Sequence, residues 1–170
     1  GIDSVNYLTN DGLFDIEKLP EELVIIGGGP IGTEMSQAFS NLGSKVTVID
    51  MAESIMVNDD PELTEILFKE LKKQDIHYEL GASVISVSEA DNKVNVHIEV
   101  DGTEKTISGD KLLMATGRKP NLDNLGLDEA GVEYTKKGIT INNSCRTNKK
   151  NIYAIGDIAS KYKFTHMSEH

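Results

Sequence analysis

The clearest indication of the fold lies in residues Leu23-Val-Ile-Ile-Gly-Gly-Gly-Pro-Ile-Gly32. The first four of these residues are all apolar, which is typical of a short parallel strand that is buried on both faces. The glycines that follow have the spacing of a dinucleotide-binding loop, Gly27-x-Gly29-x-x-Gly32, and Pro30 suits the first turn of a helix. A second apolar strand, Lys45-Val-Thr-Val-Ile-Asp50, ends in an acid. This order of strand, loop, helix, strand and acid predicts a Rossmann-type βαβ unit.

Two amphipathic helices are expected beside the predicted parallel sheet. The first begins at Pro30 and ends at Gly43, because glycine commonly stops helices. Its apolar residues recur at helical spacing and are expected to form the buried face: Ile31, Met35, Ala38, Phe39 and Leu42. The second helix begins at Asp60-Pro61 and runs to about Lys73. Four of its residues are expected to be buried: Leu63, Ile66, Leu67 and Leu71.

The pattern changes from helical to alternating after Gly81. Segments 84–88, 93–100 and 104–107 alternate polar and apolar residues, and the turns Asp91-Asn92 and Asp101-Gly102 separate them. This pattern predicts a three-stranded antiparallel meander with one solvated face. Further short strands are expected at 78–80, 111–115, 139–141 and 151–155. The predicted fold class is therefore α/β, a Rossmann-like NAD(P)-binding domain with a parallel sheet, flanking helices and an antiparallel meander.

Each glycine of the loop has a physical reason in a dinucleotide-binding site. Gly27 allows the tight turn from strand to helix, Gly29 lets the backbone approach the pyrophosphate, and Gly32 allows the helix to pack closely on the strand. Free N–H groups and the positive end of the helix then bind the phosphates. Gly28, Pro30 and Ile31 complete the loop and are included among the expected cofactor-binding residues.

Asp50 is expected to select NAD(H). It follows Gly32 at close to the typical distance of about 20 residues, where a carboxylate accepts hydrogen bonds from the adenosine ribose. The same carboxylate repels a 2′-phosphate, and residues 51–60 contain no Lys or Arg that could bind one. The sequence therefore favours NADH over NADPH. A glycine turn without a ligand is the plainer alternative.

Composition excludes several classes of function. The formal net charge is −11 and Lys and Arg form no basic stripe, so neither nucleic acid nor an anionic membrane is an expected partner. There is no apolar run long enough to cross a membrane and no secretory signal, and a cytoplasmic location is expected. Cys145 is the single cysteine and cannot form an internal disulfide. No metal site is predicted, since His166 and His170 share a helical spacing without a third ligand.

Three motifs lie in a recognisable order along the chain. They are Gly27-Gly-Gly-Pro-Ile-Gly-Thr-Glu34, Ala115-Thr-Gly-Arg-Lys-Pro-Asn121 and Asn151-Ile-Tyr-Ala-Ile-Gly-Asp157. Together they resemble the motifs of the flavoprotein disulfide reductases, the class I pyridine nucleotide-disulfide oxidoreductases. That family includes dihydrolipoamide dehydrogenase, glutathione reductase and mercuric reductase.

The resemblance implies roles for individual residues. Gly27, Gly29 and Gly32 match the nucleotide loop, Asp50 matches the ribose-binding acid, and Met51 occupies a place where NADP-using relatives have a cation. Glu34 matches a glutamate near the flavin and nicotinamide that pairs with a lysine of the FAD domain. From the residues alone, Glu34 is also interpretable as an acid in the first helical turn. Gly117 matches the turn back toward the FAD domain, and Gly156 and Asp157 match a second FAD motif. Pro30 replaces the gating tyrosine of glutathione reductase.

The resemblance also implies an arrangement of domains. Residues 1–19 are expected to be a lead-in linker, 20–143 the NAD(H)-binding domain, and 144–170 the start of a returning FAD-domain segment. The FAD and dimerisation domains of the family, with the redox cysteine pair and the His-Glu pair, are expected to be missing partners. The parent protein is then a homodimeric FAD enzyme that passes hydride from NADH to FAD and on to a disulfide-type acceptor, while this chain alone is inactive.

The sequence allows two other functions, and it does not specify the electron acceptor of the parent protein. A stand-alone NAD-binding regulatory module is the main alternative, although it has no use for the FAD motif at Gly156-Asp157. A small alcohol dehydrogenase would need a catalytic Tyr-Lys or His-Asp set near the nicotinamide. Tyr134 and Lys136 are too close together for that role.

Overall fold

The computed structural model describes residues 1–160 and residue 163. His166 and His170, for which no metal site is predicted, lie outside the described residues. The chain divides into two compact units, the first of residues 1–117 and the second beginning at Arg118. The expected division between NAD(H)-binding and FAD-domain residues after residue 143 stays a prediction.

Strands dominate the described residues. In chain order they are β1 (Tyr7–Leu8), β2 (Glu22–Ile26), β3 (Lys45–Asp50), β4 (Ile76–Leu80), β5 (Ser83–Ala90), β6 (Lys93–Val100), β7 (Thr103–Gly109), β8 (Lys111–Met114), β9 (Tyr134–Thr135) and β10 (Gly138–Ile139). The helices are α1 (Pro30–Leu42), α2 (Pro61–Leu71) and α3 (Leu127–Ala130).

The first unit contains a five-stranded sheet in the order β1-β8-β2-β3-β4. Every neighbouring pair in it is parallel, as the βαβ pattern predicts. The central strand β2 is almost wholly buried, because its apolar side chains are covered on both faces. The predicted α/β class is confirmed.

Part of the lead-in segment belongs to this sheet. Residues 7–8 pair with Leu112 and Leu113 of β8, and Val5 and Leu13 are buried in the core. The linker expected over residues 1–19 therefore contributes these positions to the sheet and the core of the first unit. A two-residue strand is too short to produce a periodic pattern, and for that reason the sequence did not reveal it.

The meander covers one face of the parallel sheet. Strands β5, β6 and β7 form the predicted antiparallel sheet, and its turn residues Asp91, Asn92, Asp101 and Gly102 all have positive φ. That backbone conformation is the one that two-residue hairpin loops need. Val94, Val96 and Ile98 of β6 pack with Val24 and Leu112 of the parallel sheet in one hydrophobic cluster. The predicted antiparallel meander is confirmed, but Val84 and Ile85 of β5 are both exposed, so the predicted alternation does not hold in that part of the strand.

Helix α1 packs on the sheet through a face that only partly matches the predicted one, in which Phe39 is buried and Met35 packs against the core as expected. Its buried residues are Gly32, Thr33, Ser36 and Phe39, whereas Leu42 is exposed. Small side chains at the contact let the helix approach the sheet closely, and this shifts the buried stripe away from the larger residues. The helix does end at Gly43, which has a φ of +103°.

Helix α2 buries far less than its periodicity predicted. Leu63 is 67% exposed and Ile66 and Leu67 are also exposed, while Leu71 is buried. Asp60 caps the helix by accepting from the N–H groups of Glu62 and Leu63. The helix packs through Leu71 and through Phe68, whose ring meets Tyr78 edge to face at 4.9 Å. The prediction of four buried residues is therefore wrong for three of them.

The second unit contains α3 and the hairpin of β9 and β10. Instead of the strand expected at 151–155, it has an isolated bridge between Arg146 and Tyr153. The described residues include no helix that is long and apolar enough to span a membrane.

Candidate functional site

The candidate site lies at the carboxyl end of the parallel sheet, in the first unit. The loop 27–32 leaves β2 between the ends of β3 and β8. The N–H of Gly27 donates to the Ile49 carbonyl of β3 at 2.8 Å, and the N–H of Ala115 donates to the Ile26 carbonyl of β2 at 2.8 Å. Helix α1 leads from β2 toward β3, whereas β8 arrives on the other side of β2. Such a point of diverging connections is where open α/β sheets bind ligands.

The loop glycines meet different steric constraints. Gly27 has a φ of +114°, and a Cβ there would lie 2.4 Å from the carbonyl oxygen of Ala115. A Cβ on Gly32 would lie 1.8 Å from the carbonyl oxygen of Gly27, so only glycine allows this helix to start so close to the strand. A Cβ on Gly29 would meet nothing within 4 Å. Gly29 therefore borders open space at the start of the helix.

Helix α1 begins with uncapped backbone donors. Gly29 occupies the cap position without a side-chain hydrogen bond, and Pro30 has no N–H. Among the described residues, the N–H groups of Gly29, Ile31 and Gly32 have no acceptor. Free donors at the positive end of a helix favour an anion, and phosphate is the anion that such loops commonly bind.

Asp50 stands beside these donors at the end of β3. Its Oδ2 accepts from the N–H of Gly28 at 2.5 Å and its Oδ1 accepts from the N–H of Ala52 at 2.8 Å. A carboxylate has about four acceptor positions, so each oxygen can accept a second bond. These two backbone bonds also orient the carboxylate next to the loop. Asp50 can therefore accept from a pair of neighbouring hydroxyl groups.

Segment 51–60 lies beside Gly28 of the loop and forms a wall of the candidate site, and its charged residues are all acidic. Met51 is 80% exposed and Val57 is exposed, while Ile55 is fully buried beside Gly28. The N–H of Met56 donates to the Gly28 carbonyl at 2.9 Å. Ile55 and Met56 were not among the residues predicted for the site. Ile55 offered one signal, because it begins the short apolar run 55–57, whereas a backbone bond such as that of Met56 leaves no signal in the sequence.

Thr33 is a further residue that the sequence analysis missed. It is buried, its N–H donates to the Gly29 carbonyl at 2.9 Å, and its hydroxyl donates to the Gly28 carbonyl at 3.1 Å. Its neighbour Glu34 is exposed, and its side chain makes no hydrogen bond or ion pair with the described residues. Glu34 is the fifth residue of α1, and the first turn contains no acid. The interpretation of Glu34 as a first-turn acid is therefore wrong.

The remaining predicted residues are not all in one unit. Gly117 ends the first unit with a φ of +138°, a conformation that favours glycine. Gly156 and Asp157 lie in the second unit, where Gly156 begins a short 3-10 helix with a φ of +73°. The Asp157 carboxylate forms an ion pair with the Arg118 guanidinium, with a nitrogen–oxygen distance of 2.7 Å. Within the described residues, no cluster of His, Cys, Asp and Glu could bind a metal ion.

Comparisons with known proteins match this chain to one family over almost its whole length. The family model for pyridine nucleotide-disulphide oxidoreductases matches residues 1–170. A mercuric reductase of Bacillus cereus is 38% identical over 99% of this chain and 27% of the relative. A dihydrolipoyl dehydrogenase of Staphylococcus aureus is 37% identical over 96% of this chain and 35% of the relative.

A solved structure with the same fold is that of the HOCl-induced flavoprotein disulfide reductase RclA from Escherichia coli. It has a TM-score of 0.86 and 30% identity, and it covers 97% of this chain and 37% of that protein. The chain thus spans about a third of the length of the relatives that it matches.

Proposed function

Because this chain belongs to the pyridine nucleotide-disulphide oxidoreductase family, we propose that it binds NAD(H) at the loop 27–32. We further propose that it acts within a longer FAD-dependent enzyme, which transfers reducing equivalents from NADH through FAD to a disulfide-type acceptor. When bound, the two cofactors supply the redox chemistry, and this chain supplies binding and orientation.

One observation carries the proposal, the group of free N–H donors at the start of α1. The N–H groups of Gly29, Ile31 and Gly32 lack acceptors among the described residues, and Gly29 borders open space. A pyrophosphate fits this set, because it brings several anionic acceptors to donors that face the positive end of the helix. The donor set therefore fits the phosphate portion of a dinucleotide.

Asp50 supports NADH as the preferred form. Its oriented carboxylate can accept from both hydroxyl groups of the adenosine ribose. A 2′-phosphate at the same place would meet this carboxylate and a wall, 51–60, whose charged residues are all acidic. Repulsion between such charges at close range is worth several kcal/mol even when it is partly screened.

Two further roles belong to this proposal. Glu34, exposed and unpaired among the described residues, is assigned to the region of the nicotinamide and flavin, where a lysine of an FAD domain would pair with it. Gly156 and Asp157 are assigned to an FAD-binding turn, in which the Arg118 guanidinium orients the Asp157 carboxylate. In a longer protein, FAD-binding and dimerisation domains would be the partners of this chain.

The test is a calorimetric titration of the chain with NADH, NADPH and FAD, each alone. NADH is expected to bind at least about tenfold more tightly than NADPH, with no appreciable FAD binding. Equal or tighter binding of NADPH would contradict the role of Asp50. Failure of both nucleotides to bind would contradict the proposal for this chain.

A matched pair of variants separates Asp50 from the general acidity of the wall. Asp50→Asn is expected to weaken NADH binding about tenfold and to raise the NADPH-to-NADH affinity ratio, because a charge-assisted acceptor is lost. Glu53→Gln removes an exposed acid from the same segment and is expected to leave the ratio nearly unchanged. Equal effects of the two variants would mean that overall charge, and not Asp50, sets the preference.

A further inference from the structure

The carbonyl group of Gly28 accepts two hydrogen bonds from different parts of the first unit. The N–H of Met56 donates to it at 2.9 Å and the hydroxyl of Thr33 donates to it at 3.1 Å. We propose that Thr33 and Met56 are positioning residues, which hold the Gly28–Gly29 peptide so that its N–H points at a bound pyrophosphate. This inference rests on the proposed function and adds the residues that set the loop geometry.

Because the peptide bond is planar, the two hydrogen bonds to the Gly28 carbonyl also fix the direction of the Gly29 N–H. The described residues contain no cis peptide bond, so the Gly28 C=O and the Gly29 N–H point to opposite sides of one plane. A carbonyl oxygen has two lone pairs, and here both are engaged. The Gly29 N–H therefore points away from Thr33 and Met56. It has no acceptor among the described residues, and Gly29 borders open space.

This peptide needs such control because glycine stands on both sides of it. Gly28 and Gly29 have no side chains to restrict their dihedral angles, so rotation of the peptide between them is inexpensive. A rotated peptide would present its carbonyl oxygen, and not its N–H, to the phosphates. The oxygen would repel the anion. The two hydrogen bonds donated to the Gly28 carbonyl stabilise the peptide orientation that presents the Gly29 N–H to the phosphates.

Both donors are themselves firmly placed. Thr33 lies in the first turns of α1 and is buried, and the Gly28 carbonyl is the acceptor of its hydroxyl. Met56 has a φ of +54°, an uncommon conformation for a residue with a side chain, and its carbonyl accepts from the N–H of Asp59 at 2.9 Å. The preceding residue, Ile55, is 1% exposed and anchors the segment in the core. The backbone of Met56 is therefore held by the buried side chain of Ile55 before it and by the turn to Asp59 after it.

The test compares Thr33→Val with Thr33→Ser. Valine keeps the branched shape of threonine and removes the hydroxyl, whereas serine keeps the hydroxyl. The probes are ADP-ribose, which contains the pyrophosphate, and adenosine, which lacks it. Thr33→Val is expected to weaken ADP-ribose binding about fivefold and to leave adenosine binding unchanged, as suits the loss of one hydrogen bond. Thr33→Ser is expected to bind both probes like the wild type.

The outcomes separate this inference from the proposed function. If the wild type does not bind NADH, both are overturned. If the wild type binds NADH and Thr33→Val binds ADP-ribose equally well, only the positioning role is overturned. An equal loss for adenosine and ADP-ribose would also overturn it, because a purely structural defect weakens both probes alike.

A second measurement does not depend on any variant. In nuclear magnetic resonance spectra of the wild-type chain, ADP-ribose is expected to shift the amide proton of Gly29 downfield more than that of Gly28. The reason is that Gly28 already donates to Asp50, whereas Gly29 gains a new acceptor. An unmoved Gly29 amide at saturating ADP-ribose would overturn the inference.

Discussion

At the scale of single residues, the glycines of one short loop serve separate purposes. Gly32 is needed for folding, since a Cβ there would lie 1.8 Å from a backbone oxygen. Gly29 has a φ of −75°, which suits any residue, and a Cβ there would meet nothing within 4 Å. The protein itself therefore does not require glycine at position 29. We infer that glycine occurs at position 29 because a side chain there would take up space that a bound ligand needs.

Gly29→Ala is expected to separate binding from stability. The variant should unfold at the wild-type temperature or slightly above it, because alanine restricts the unfolded chain without strain in the folded one. Its affinity for NADH should fall at least about tenfold, since the added methyl group occupies the path of the pyrophosphate. Thermal unfolding and calorimetric titration measure the two quantities on the same sample.

The matched control is Gly32→Ala. It should lower the unfolding temperature strongly, because either the helix or the strand end must move to admit the methyl group. A Gly29→Ala protein that binds NADH like the wild type would contradict the proposed position of the pyrophosphate.

At the scale of elements, one buried carboxylate joins the two sheets of the first unit. Glu79 of β4 accepts from the Lys105 ammonium of β7 at 2.5 Å and contacts His77 Nε2 at 2.9 Å. Burial alone would raise the pKa of Glu79, but the hydrogen bonds and charges of Lys105 and His77 outweigh burial and lower this pKa. The group therefore favours the folded state in its ionised form.

This lowered pKa predicts a pH dependence of stability. The folded pKa lies below the ordinary value of 4.5, so the contribution of Glu79 is full above that pH and is lost as the pH falls through the folded pKa. Urea unfolding should show that Glu79→Gln costs stability at pH 6 and costs progressively less below about pH 4.5. Glu104→Gln, an exposed acid beside Lys105, serves as the control and should have little effect at either pH. A cost of Glu79→Gln that does not change with pH would contradict the ionic origin.

At the scale of the whole chain, both hydrophobic clusters lie within residues 1–117. One cluster fills the space between the parallel sheet and the meander, and the other lies on the side of α1. The loop 27–32, Asp50 and segment 51–60 also belong to this unit. A core and a candidate site that are contained in one unit should not depend on the residues that follow it.

A chain that ends after Gly117 is therefore expected to fold cooperatively and to bind NADH with nearly the affinity of the full chain. Circular dichroism during urea unfolding and calorimetric titration would measure this. A chain that ends after residue 143, the boundary expected from the sequence, provides the comparison. Loss of cooperative unfolding in the shorter chain and not in the longer one would favour the later boundary.

Local patterns in the sequence are enough to predict several elements of this fold. The run from Leu23 to Gly32 predicts the buried strand, the loop and the helix start, and the turns at Asp91-Asn92 and Asp101-Gly102 predict the meander. Such features depend on residues within a few positions of one another. Their physical causes, which are side-chain periodicity and the backbone freedom of turn residues, can be recognised in the sequence without knowledge of the fold.

Which helix faces are buried, and which distant residues come into contact, depends on the tertiary structure. Periodicity places Leu63 and Leu71 on helix α2, but packing alone determines that Leu71 is buried and Leu63 is exposed. Met56 reaches the Gly28 carbonyl because β2 and β3 lie side by side, and no local pattern relates the two positions. Contacts between residues far apart in the chain form only when the sheet brings them together, so a backbone hydrogen bond of this kind cannot be predicted from the residue types involved.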